Sequence, residues 1–293
     1  MEQRQFPLVL LLALGHPYYG RLAHNLAMSL KYSCPDLKIT LAYAEGALGH
    51  YTPDMRSLFN NFIEIDPKYY TKDGMVEYIK AKTAIYELSP YSETIFLDVD
   101  MLWLPKRSIN DLFNSLDTDF TIQNRGAVDL SGEYPKDYSI WCNLDEMCQA
   151  YGLTDGKYYH LSSELIYFKK NKEVKKIFRD AIKLYDTLKI TAVDFANGIP
   201  DELVFSLSMI LNDKYPHTER WLPVYWEDAE KANLPANEMH GKFYAYSAGG
   251  RTSSPTIKSF YNNLVQFYGN HFGVQYPFNL KDKSSYLPER TNI

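Results

Sequence analysis

The sequence predicts an α/β fold, in which helices flank a mixed, mainly parallel sheet and an extension follows at the C-terminus. Two observations carry this prediction. An apolar run at residues 8–14 is followed by a glycine-bearing loop, by leucines at helical spacing and by a second apolar run. The 293 residues, 45% of them hydrophobic, also suffice to build the core of one large domain.

The N-terminal elements open a βαβ unit. Residues 8–14 are apolar in succession, which is typical of a strand buried on both faces. Leucines recur at helical spacing in residues 22–30, and residues 37–44 predict the next strand. Ligands of such parallel sheets bind beyond the carboxyl ends of the strands. The loop at residues 15–20, GHPYYG, is therefore expected at the rim of a site.

The next elements lead to a central strand. Residues 55–66 predict a helical turn and a short strand, and residues 74–91 predict a helix that ends before Pro90. This helix would turn three apolar side chains inward, namely Ala81, Ile85 and Leu88. Residues 93–100 begin with an apolar run that indicates a strand in the centre of the sheet.

The second half of the chain predicts further elements around one long connection. Residues 126–158 are rich in Asp, Gly, Tyr and Pro and show no sustained period, so we expect a long excursion over the site. Helices are predicted over residues 108–115, 172–188, 201–213 and 256–268, and strands over residues 119–126 and 160–171.

Composition narrows the class of protein. The formal net charge of −5 gives no general basic surface of the kind that binds nucleic acid phosphates. Three cysteines without a C-x-x-C pair indicate neither a disulfide framework nor a zinc site, and favour a reducing, cytoplasmic location. The apolar stretch at residues 8–14 is too short to cross a bilayer and lacks the flanks of a signal peptide, so no transmembrane segment is predicted.

Two aspartates, Asp98 and Asp100, stand at the end of the central strand. In a strand they would point the same way, and two close carboxylates repel unless a cation lies against them. A hard divalent ion that bridges a diphosphate, Mg²⁺ or Mn²⁺, fits this need. The alternative is a pair of aspartates that only cap the following turn, and the spacing alone leaves both interpretations open.

Residues 80–104, KAKTAIYELSPYSETIFLDVDMLWL, resemble the segment around the D-x-D motif of GT-A glycosyltransferases. The likeness is greatest to the glycogenin-like and lipopolysaccharide galactosyltransferase-like group. It implies a Rossmann-like GT-A fold and transfer of a hexose from a nucleotide-diphosphate sugar, a UDP-sugar, to an acceptor hydroxyl. It also implies that Asp98 and Asp100, with Val99 between them, hold Mn²⁺ or Mg²⁺ against the donor diphosphate. Lys82 stands where the family has a donor-contacting arginine, and it offers a point charge instead of a bidentate fork.

Other segments extend the resemblance. The opening, residues 11–30, is similar to the family's first strand, nucleotide loop and helix. The residues expected to contact the donor are therefore Leu12, Ala13, Gly15, Tyr18 or Tyr19, and Asn124, beside Lys82 and the D-x-D segment. Residues 160–171 resemble the family's FNSG strand, with Ser162 and Glu164 in place of asparagine and glycine.

The resemblance also points to catalytic residues and a third metal ligand. Asp201 and Glu202 match an Asp-Gln pair at a helix start, where a carboxylate beside the reacting sugar orients hydroxyls, stabilises an oxocarbenium-like state or acts as a base. Favourable charge at a helix N-terminus is the alternative explanation. The family closes its metal site with a late histidine, for which His240 is the candidate and His271 the competitor.

On this basis residues 1–293 form a single GT-A-like domain. Its nucleotide-binding half would span about residues 1–125, its acceptor and catalytic half about 126–250, and a helical extension about 251–293. The acceptor is left open among a glycan, a lipid-linked sugar, a protein and a modified base, and so is retention or inversion.

Two other classes compete with this interpretation. A haloacid-dehalogenase-like phosphatase would use Asp98 as nucleophile and Asp100 as acid and base, but that family begins with its D-x-D strand and needs a later Asp-Asp pair. A non-catalytic sugar-binding protein on the same fold would result if the later acidic residues lay away from the aspartate pair.

Overall fold

The computed structural model describes residues 8–44, 46–135, 137–195, 198–218, 220–225, 242–249, 255–275 and 277–280. The strands are β1 (Leu8–Ala13), β2 (Lys38–Tyr43), β3 (Asn61–Glu64), β4 (Thr71–Lys72), β5 (Met75–Val76), β6 (Glu93–Leu97), β7 (Met101–Trp103), β8 (Phe120–Asp129), β9 (Lys157–Lys169), β10 (Val224–Tyr225) and β11 (Ala245–Ser247). The helices are α1 (Pro17–Ser33), α2 (Pro53–Ser57), α3 (Ile85–Leu88), α4 (Ile109–Ser115), α5 (Leu144–Tyr151), α6 (Lys172–Asp186), α7 (Asp201–Leu211) and α8 (Pro255–Phe272), with 3-10 helices at Pro67–Tyr69 and Tyr78–Ala84.

A six-stranded sheet in the order β3-β2-β1-β6-β9-β8 forms the centre. Strands β3, β2, β1 and β6 pair in parallel, whereas β9 pairs antiparallel with both β6 and β8. The predicted mixed sheet flanked by helices is therefore confirmed, as are the opening βαβ unit and the central place of the strand before the two aspartates.

The apolar run of β1 is explained by cores on both faces of the sheet. Val9 and Leu11 belong to one buried cluster, and Leu10 and Leu12 belong to the other. Because successive side chains of a strand point to opposite faces, every position of a doubly covered strand is apolar.

His16 and Pro17 stabilise the N-terminus of helix α1. The Nδ1 atom of His16 accepts from the backbone N–H of Tyr18 at 3.0 Å, and Pro17 occupies the first helical position. Gly20 permits a close approach of the next loop, because a Cβ there would lie 2.1 Å from the carbonyl oxygen of Ala47. Tyr51 donates its hydroxyl to the Gly20 carbonyl at 2.6 Å across this contact.

Two predicted elements differ from the structure. The helix predicted over residues 74–91 is a 3-10 helix followed by α3, and a hairpin of β4 and β5 precedes it because Asp73 and Gly74 take positive φ angles of 51° and 81°. The predicted inward side chains, Ala81, Ile85 and Leu88, are buried. The expected long excursion contains α5, which the side chain of Asn143 caps and a left-handed Gly152 ends.

Strand β6 ends at Leu97 and does not continue through Asp100 as predicted. The Asp98 N–H donates to the carbonyl of Glu164 at 2.9 Å, and the chain then turns into a second sheet of order β10-β11-β7. There the N–H of Ala248 donates to the Asp100 carbonyl at 3.0 Å. The two aspartates thus belong to a turn between two sheets, because β7 finds its partner in β11 and not in the central sheet.

The apolar residues after the turn are core residues. Met101, Leu102, Trp103 and Leu104 are fully buried, and burial of each such side chain contributes roughly 1.5–3 kcal/mol. The N–H of Trp103 donates to Ser29 Oγ of α1 at 2.9 Å, which docks β7 against the first helix.

Within the part of the chain that the structure describes, no helix is both long and apolar enough to span a membrane.

Candidate active site

The turn after β6 brings together acidic and basic side chains from four elements. Lys82 extends its Nζ atom to Asp98 Oδ2 at 2.7 Å, to Ser163 Oγ at 3.2 Å and to Asp201 Oδ2 at 3.7 Å. Lys82 belongs to the second 3-10 helix, Ser163 to β9 and Asp201 to the first turn of α7. Lys82 and Asp98, both predicted from residues 80–104, therefore meet Asp201, which was predicted from a later motif.

Burial and charge act against each other in this cluster. Burial lowers the pKa of Lys82, but the charges of Asp201 and Asp98 outweigh it, so the net shift is upward and the ammonium stays charged. Burial raises the pKa of Asp98 to about 7; Lys82 opposes this shift and the charge of Asp100 adds to it. A further cation beside Asp98 and Asp100 would stabilise the ionised pair.

Glu202, the second predicted catalytic residue, lies beside this cluster and is held at both carboxylate oxygens. Its Oε1 accepts from the backbone N–H of Ser163 at 3.0 Å, and its Oε2 accepts from Trp141 Nε1 at 2.7 Å. Burial, followed by the charge of Asp201, raises the pKa of Glu202 to about 8.

Glu164, which stands where the FNSG strand has glycine in the resemblance described above, is a half-buried acid beside the aspartate turn. Its Oε2 accepts from Gln123 Nε2 and from Ser162 Oγ, each at 3.0 Å. Gln123 in turn accepts from the N–H of Val224 at 2.9 Å, so the pair ties β9 and β8 to the second sheet. Burial raises the pKa of Glu164, and hydrogen bonds, first that from Ser247, oppose the shift.

Gln123, Trp141 and Ser163 were not identified from the sequence. Gln123 adjoins the predicted Asn124, and a polar side chain inside an apolar strand is a signal for a buried contact. Trp141 lies in the polar excursion, where its indole N–H needs a partner when buried. Ser163 contributes its backbone N–H as well as its hydroxyl, and a backbone donor leaves no mark in the sequence.

The residues predicted to hold the nucleotide occupy the carboxyl end of β1 and the start of α1. Leu12 and Ala13 are buried there, and Gly15 is required because a Cβ would lie 2.3 Å from the ring of Tyr78. Tyr18 is buried with its ring 5.5 Å from that of Phe278.

Tyr19 lies close enough to Asp98 and Asp100 for their charges to act on its hydroxyl group. The residue is 37% exposed. Partial burial raises its pKa, and the charges of Asp100 and Asp98 raise it further.

The sequence also predicted that Asn124 contacts the donor. Asn124 is buried in β8, and its Nδ2 donates to the carbonyls of Ile122 and Thr218, so it faces the segment at Trp221. Its neighbour Gln123 is the one that reaches Glu164.

The two candidate histidines for the metal site are His240 and His271. His240 lies outside the described residues. His271 packs edge-on against Tyr32, with ring centroids 4.8 Å apart. Tyr32 lies thirteen residues after Tyr19 on α1, which is roughly 20 Å along a helix. His271 is therefore at the end of α1 that points away from the aspartates.

The donor set at the turn fits a hard divalent cation. Asp98 and Asp100 offer carboxylate oxygens, and Mg²⁺ and Mn²⁺ use one or two protein carboxylates together with substrate phosphates. Among the described residues, no three His, Cys, Asp or Glu side chains are arranged to hold a metal ion. The described part of the chain would thus supply two carboxylates, and Lys82 already occupies one oxygen of Asp98.

A cavity of about 490 Å³ lies beside the segment that precedes α7. It is lined by Lys72, Glu77, Leu188, Ile190, Ala192, Val193, Asp194, Gly198 and Ile199. Ile199 stands two residues before Asp201, so the cavity adjoins the segment that carries both acidic residues of α7.

Comparison with known proteins yields structural likeness alone. No protein-family model matches the chain, and no curated protein matches its sequence. The bifunctional glycosyltransferase WbbM superposes with a TM-score of 0.56 at 12% identity, over 92% of this chain and 50% of that one, so the chain spans half of WbbM. The galactosyltransferase LgtC, solved with donor and acceptor sugar analogs, gives 0.55 at 13% identity over 90% and 96% of the two chains. The glycosyltransferase GlyE of Streptococcus pneumoniae gives 0.54 at 11% identity over 95% and 66%.

Proposed function

From the GT-A fold that this chain shares with those structures, we propose that the protein is a glycosyltransferase. It moves a hexose from a nucleotide-diphosphate sugar, a UDP-sugar, to an acceptor hydroxyl. The observation that carries the proposal is the meeting of Lys82, Asp98 and Asp201 around one ammonium group at the carboxyl edge of the parallel strands. Ligands of open α/β sheets bind at this edge.

The aspartate turn is the proposed diphosphate end of the site. Asp98 and Asp100 would hold Mn²⁺ or Mg²⁺, which when bound neutralises negative charge on the leaving diphosphate. In this proposal residues 1–125 bind the nucleotide, with Leu12, Ala13 and Gly15 beside it and the exposed ring of Tyr19 available to the base or the diphosphate.

Lys82 balances charge between the two ends of the site. Its ammonium group contacts Asp98 and Asp201 on different elements, so both carboxylates have a cation although they are half-buried or buried. A fixed positive charge near the departing diphosphate also stabilises charge that grows during transfer.

Asp201 and Glu202 are the proposed catalytic carboxylates of the second half, about residues 126–250. A carboxylate beside the anomeric carbon stabilises an oxocarbenium-like state or accepts a proton from the acceptor. Both roles require the ionised form. Burial and the charge of Asp201 raise the pKa of Glu202 to about 8, so its ionised form dominates only at alkaline pH above that value.

The acceptor would enter through the cavity beside Ile199. Its lining combines apolar side chains with Lys72, Glu77 and Asp194, which suits a molecule with several hydroxyl groups. An acceptor hydroxyl placed there would lie beside the segment that leads into α7.

Hydrolysis of nucleotide sugars in the presence of Mn²⁺ tests this function. The wild type should release free sugar slowly from at least one donor. Asp100→Ala should lower this rate by at least about 100-fold, because metal-ion stabilisation of the leaving group is worth several kcal/mol. Asp117→Ala, which alters an exposed aspartate, should not change it.

Two outcomes would contradict the proposal. Cleavage of simple phosphate monoesters, abolished by replacing Asp98, would indicate a phosphatase. Binding of sugars without any donor hydrolysis or transfer would indicate a non-catalytic protein.

A further inference from the structure

Trp141 connects the long excursion after β8 to a catalytic candidate. Its indole Nε1–H donates to Glu202 Oε2 at 2.7 Å, and the residues are 61 positions apart in the sequence. The other oxygen, Oε1, accepts from the backbone N–H of Ser163 on β9 at 3.0 Å. Each oxygen of one carboxyl group is therefore held by a different segment of the chain.

Both partners of Glu202 are donors that cannot accept. An indole nitrogen and a peptide nitrogen each carry one hydrogen and offer no lone pair for a hydrogen bond. If Glu202 took up a proton, the protonated oxygen would face a donor and one hydrogen bond would weaken or break. The geometry thus favours the ionised carboxylate and fixes its plane.

The indole is held in place independently of Glu202. The Trp141 carbonyl accepts from the N–H of Val193 at 2.9 Å, and the Trp141 N–H donates to Ser139 Oγ at 3.2 Å. Its ring meets that of Phe195 edge-on, with centroids 5.1 Å apart. Because two neighbouring segments position the indole, it is arranged before any substrate arrives.

The charged and titratable groups around Glu202 come from three elements. Asp201 lies next to it on α7, Glu164 and Tyr158 face it from β9, and Lys82 faces it from the 3-10 helix. Burial, Asp201 and Glu164 favour the protonated acid, whereas the Ser163 N–H and Lys82 favour the ionised form. The hydrogen bond from the indole of Trp141 also favours the ionised form.

We propose that Trp141 is a positioning residue for Glu202, whose carboxylate it orients and whose ionised form it favours. The proposal deepens the proposed function and rests on it for the role of Glu202. The hydrogen bond itself does not depend on which sugar is transferred. The loop that carries Trp141 therefore adjusts the acid–base state of the site.

Replacement of the indole by a ring without a donor tests this directly. Trp141→Phe keeps an aromatic ring beside Phe195 and removes the N–H. The pKa of Glu202, followed by carbon NMR of glutamate-labelled protein and assigned with Glu202→Gln, should rise by about one unit, the size expected for loss of a hydrogen bond to a charged group. The acidic limb of the pH profile of donor hydrolysis should move upward by the same amount.

Phe195→Leu is the matched control. This change removes the contact between the rings of Phe195 and Trp141 and leaves the indole donor in place. Phe195 is 45% exposed, so its replacement should disturb the structure little. In Phe195→Leu, the pKa of Glu202 should equal its pKa in the wild type. An unchanged pKa in Trp141→Phe, or an equal rise in both variants, would overturn the proposal.

A second measurement covers the case in which Trp141→Phe does not fold. In the wild type, the indole N–H resonance of Trp141 should shift with pH at the midpoint of the Glu202 titration, and in Glu202→Gln it should not. A resonance that is insensitive to Glu202 would overturn the proposal. If the titration is observed while no donor is hydrolysed, the link between Trp141 and Glu202 stands and the proposed function fails.

Discussion

At the scale of single residues, the site depends on one lysine among several acids. Lys82 contacts Asp98 and Asp201, and Glu202 and Glu164 lie close enough to affect the same charges. Removal of one partner from a buried ion pair is costly because the other charge stays buried without compensation.

Lys82→Met should therefore destabilise the protein by roughly 3 kcal/mol. Urea unfolding at neutral pH with a metal chelator measures this change in the free energy of unfolding. Lys106→Met, at an exposed lysine, should stay within about 0.5 kcal/mol of the wild type. Equal stability of both variants would mean that Lys82 does not compensate the acids.

Glu202→Gln should change the pH dependence of stability. Burial and the charge of Asp201 raise the pKa of Glu202 from its ordinary value of 4.5 to about 8, so the contribution of Glu202 to stability is fully present below about pH 4.5 and is lost as the pH rises through 8. A shift of one pKa unit corresponds to about 1.4 kcal/mol, and solvent screening reduces this value for a group that is not fully buried. We therefore expect the free energy of unfolding of the wild type to fall by about 2 kcal/mol relative to that of the variant between pH 5 and pH 8. If the difference in free energy of unfolding between the wild type and Glu202→Gln is the same at pH 5 and pH 8, the raised pKa of Glu202 is contradicted.

At the scale of elements, the turn between β6 and β7 shows what sequence patterns can and cannot predict. The apolar run before Asp98 predicted a central strand correctly. The same-face argument for Asp98 and Asp100 was wrong in its premise, because β6 ends at Leu97 and the aspartates lie in a turn. Local alternation cannot reveal that β7 pairs with β11, which is more than 140 residues further along the chain.

Helix α1 should stabilise this turn through Ser29. Ser29→Ala would leave the buried N–H of Trp103 without its acceptor and should cost about 1–3 kcal/mol. Ser33→Ala on the same helix removes only a bond to the carbonyl of Leu30, and it should be close to neutral. Urea unfolding of the two variants compares them, and equal costs would show that the contact with β7 contributes nothing.

At the scale of the whole molecule, the parallel strands bring distant segments to one edge. The resemblance to GT-A glycosyltransferases, with its motifs in the same order along the chain, assigned Lys82, Asp98 and Asp201 to one site, and the structure brings these three side chains into contact. It could not predict the donors to Glu202, since Trp141 reaches it from a connection without a periodic pattern. His240 remains a prediction outside the described residues, and His271 lies at the far end of α1.

The central claim is that the aspartate turn binds a nucleotide diphosphate together with a divalent cation. Calorimetric titration of UDP and UDP-sugars into the protein, with Mn²⁺ and then with chelator, tests it most directly. We expect saturable binding that requires Mn²⁺, persists in Asp117→Ala and is lost in Asp100→Ala. Absence of binding by every nucleotide sugar with Mn²⁺ or Mg²⁺, or equal binding in Asp100→Ala, would contradict the claim.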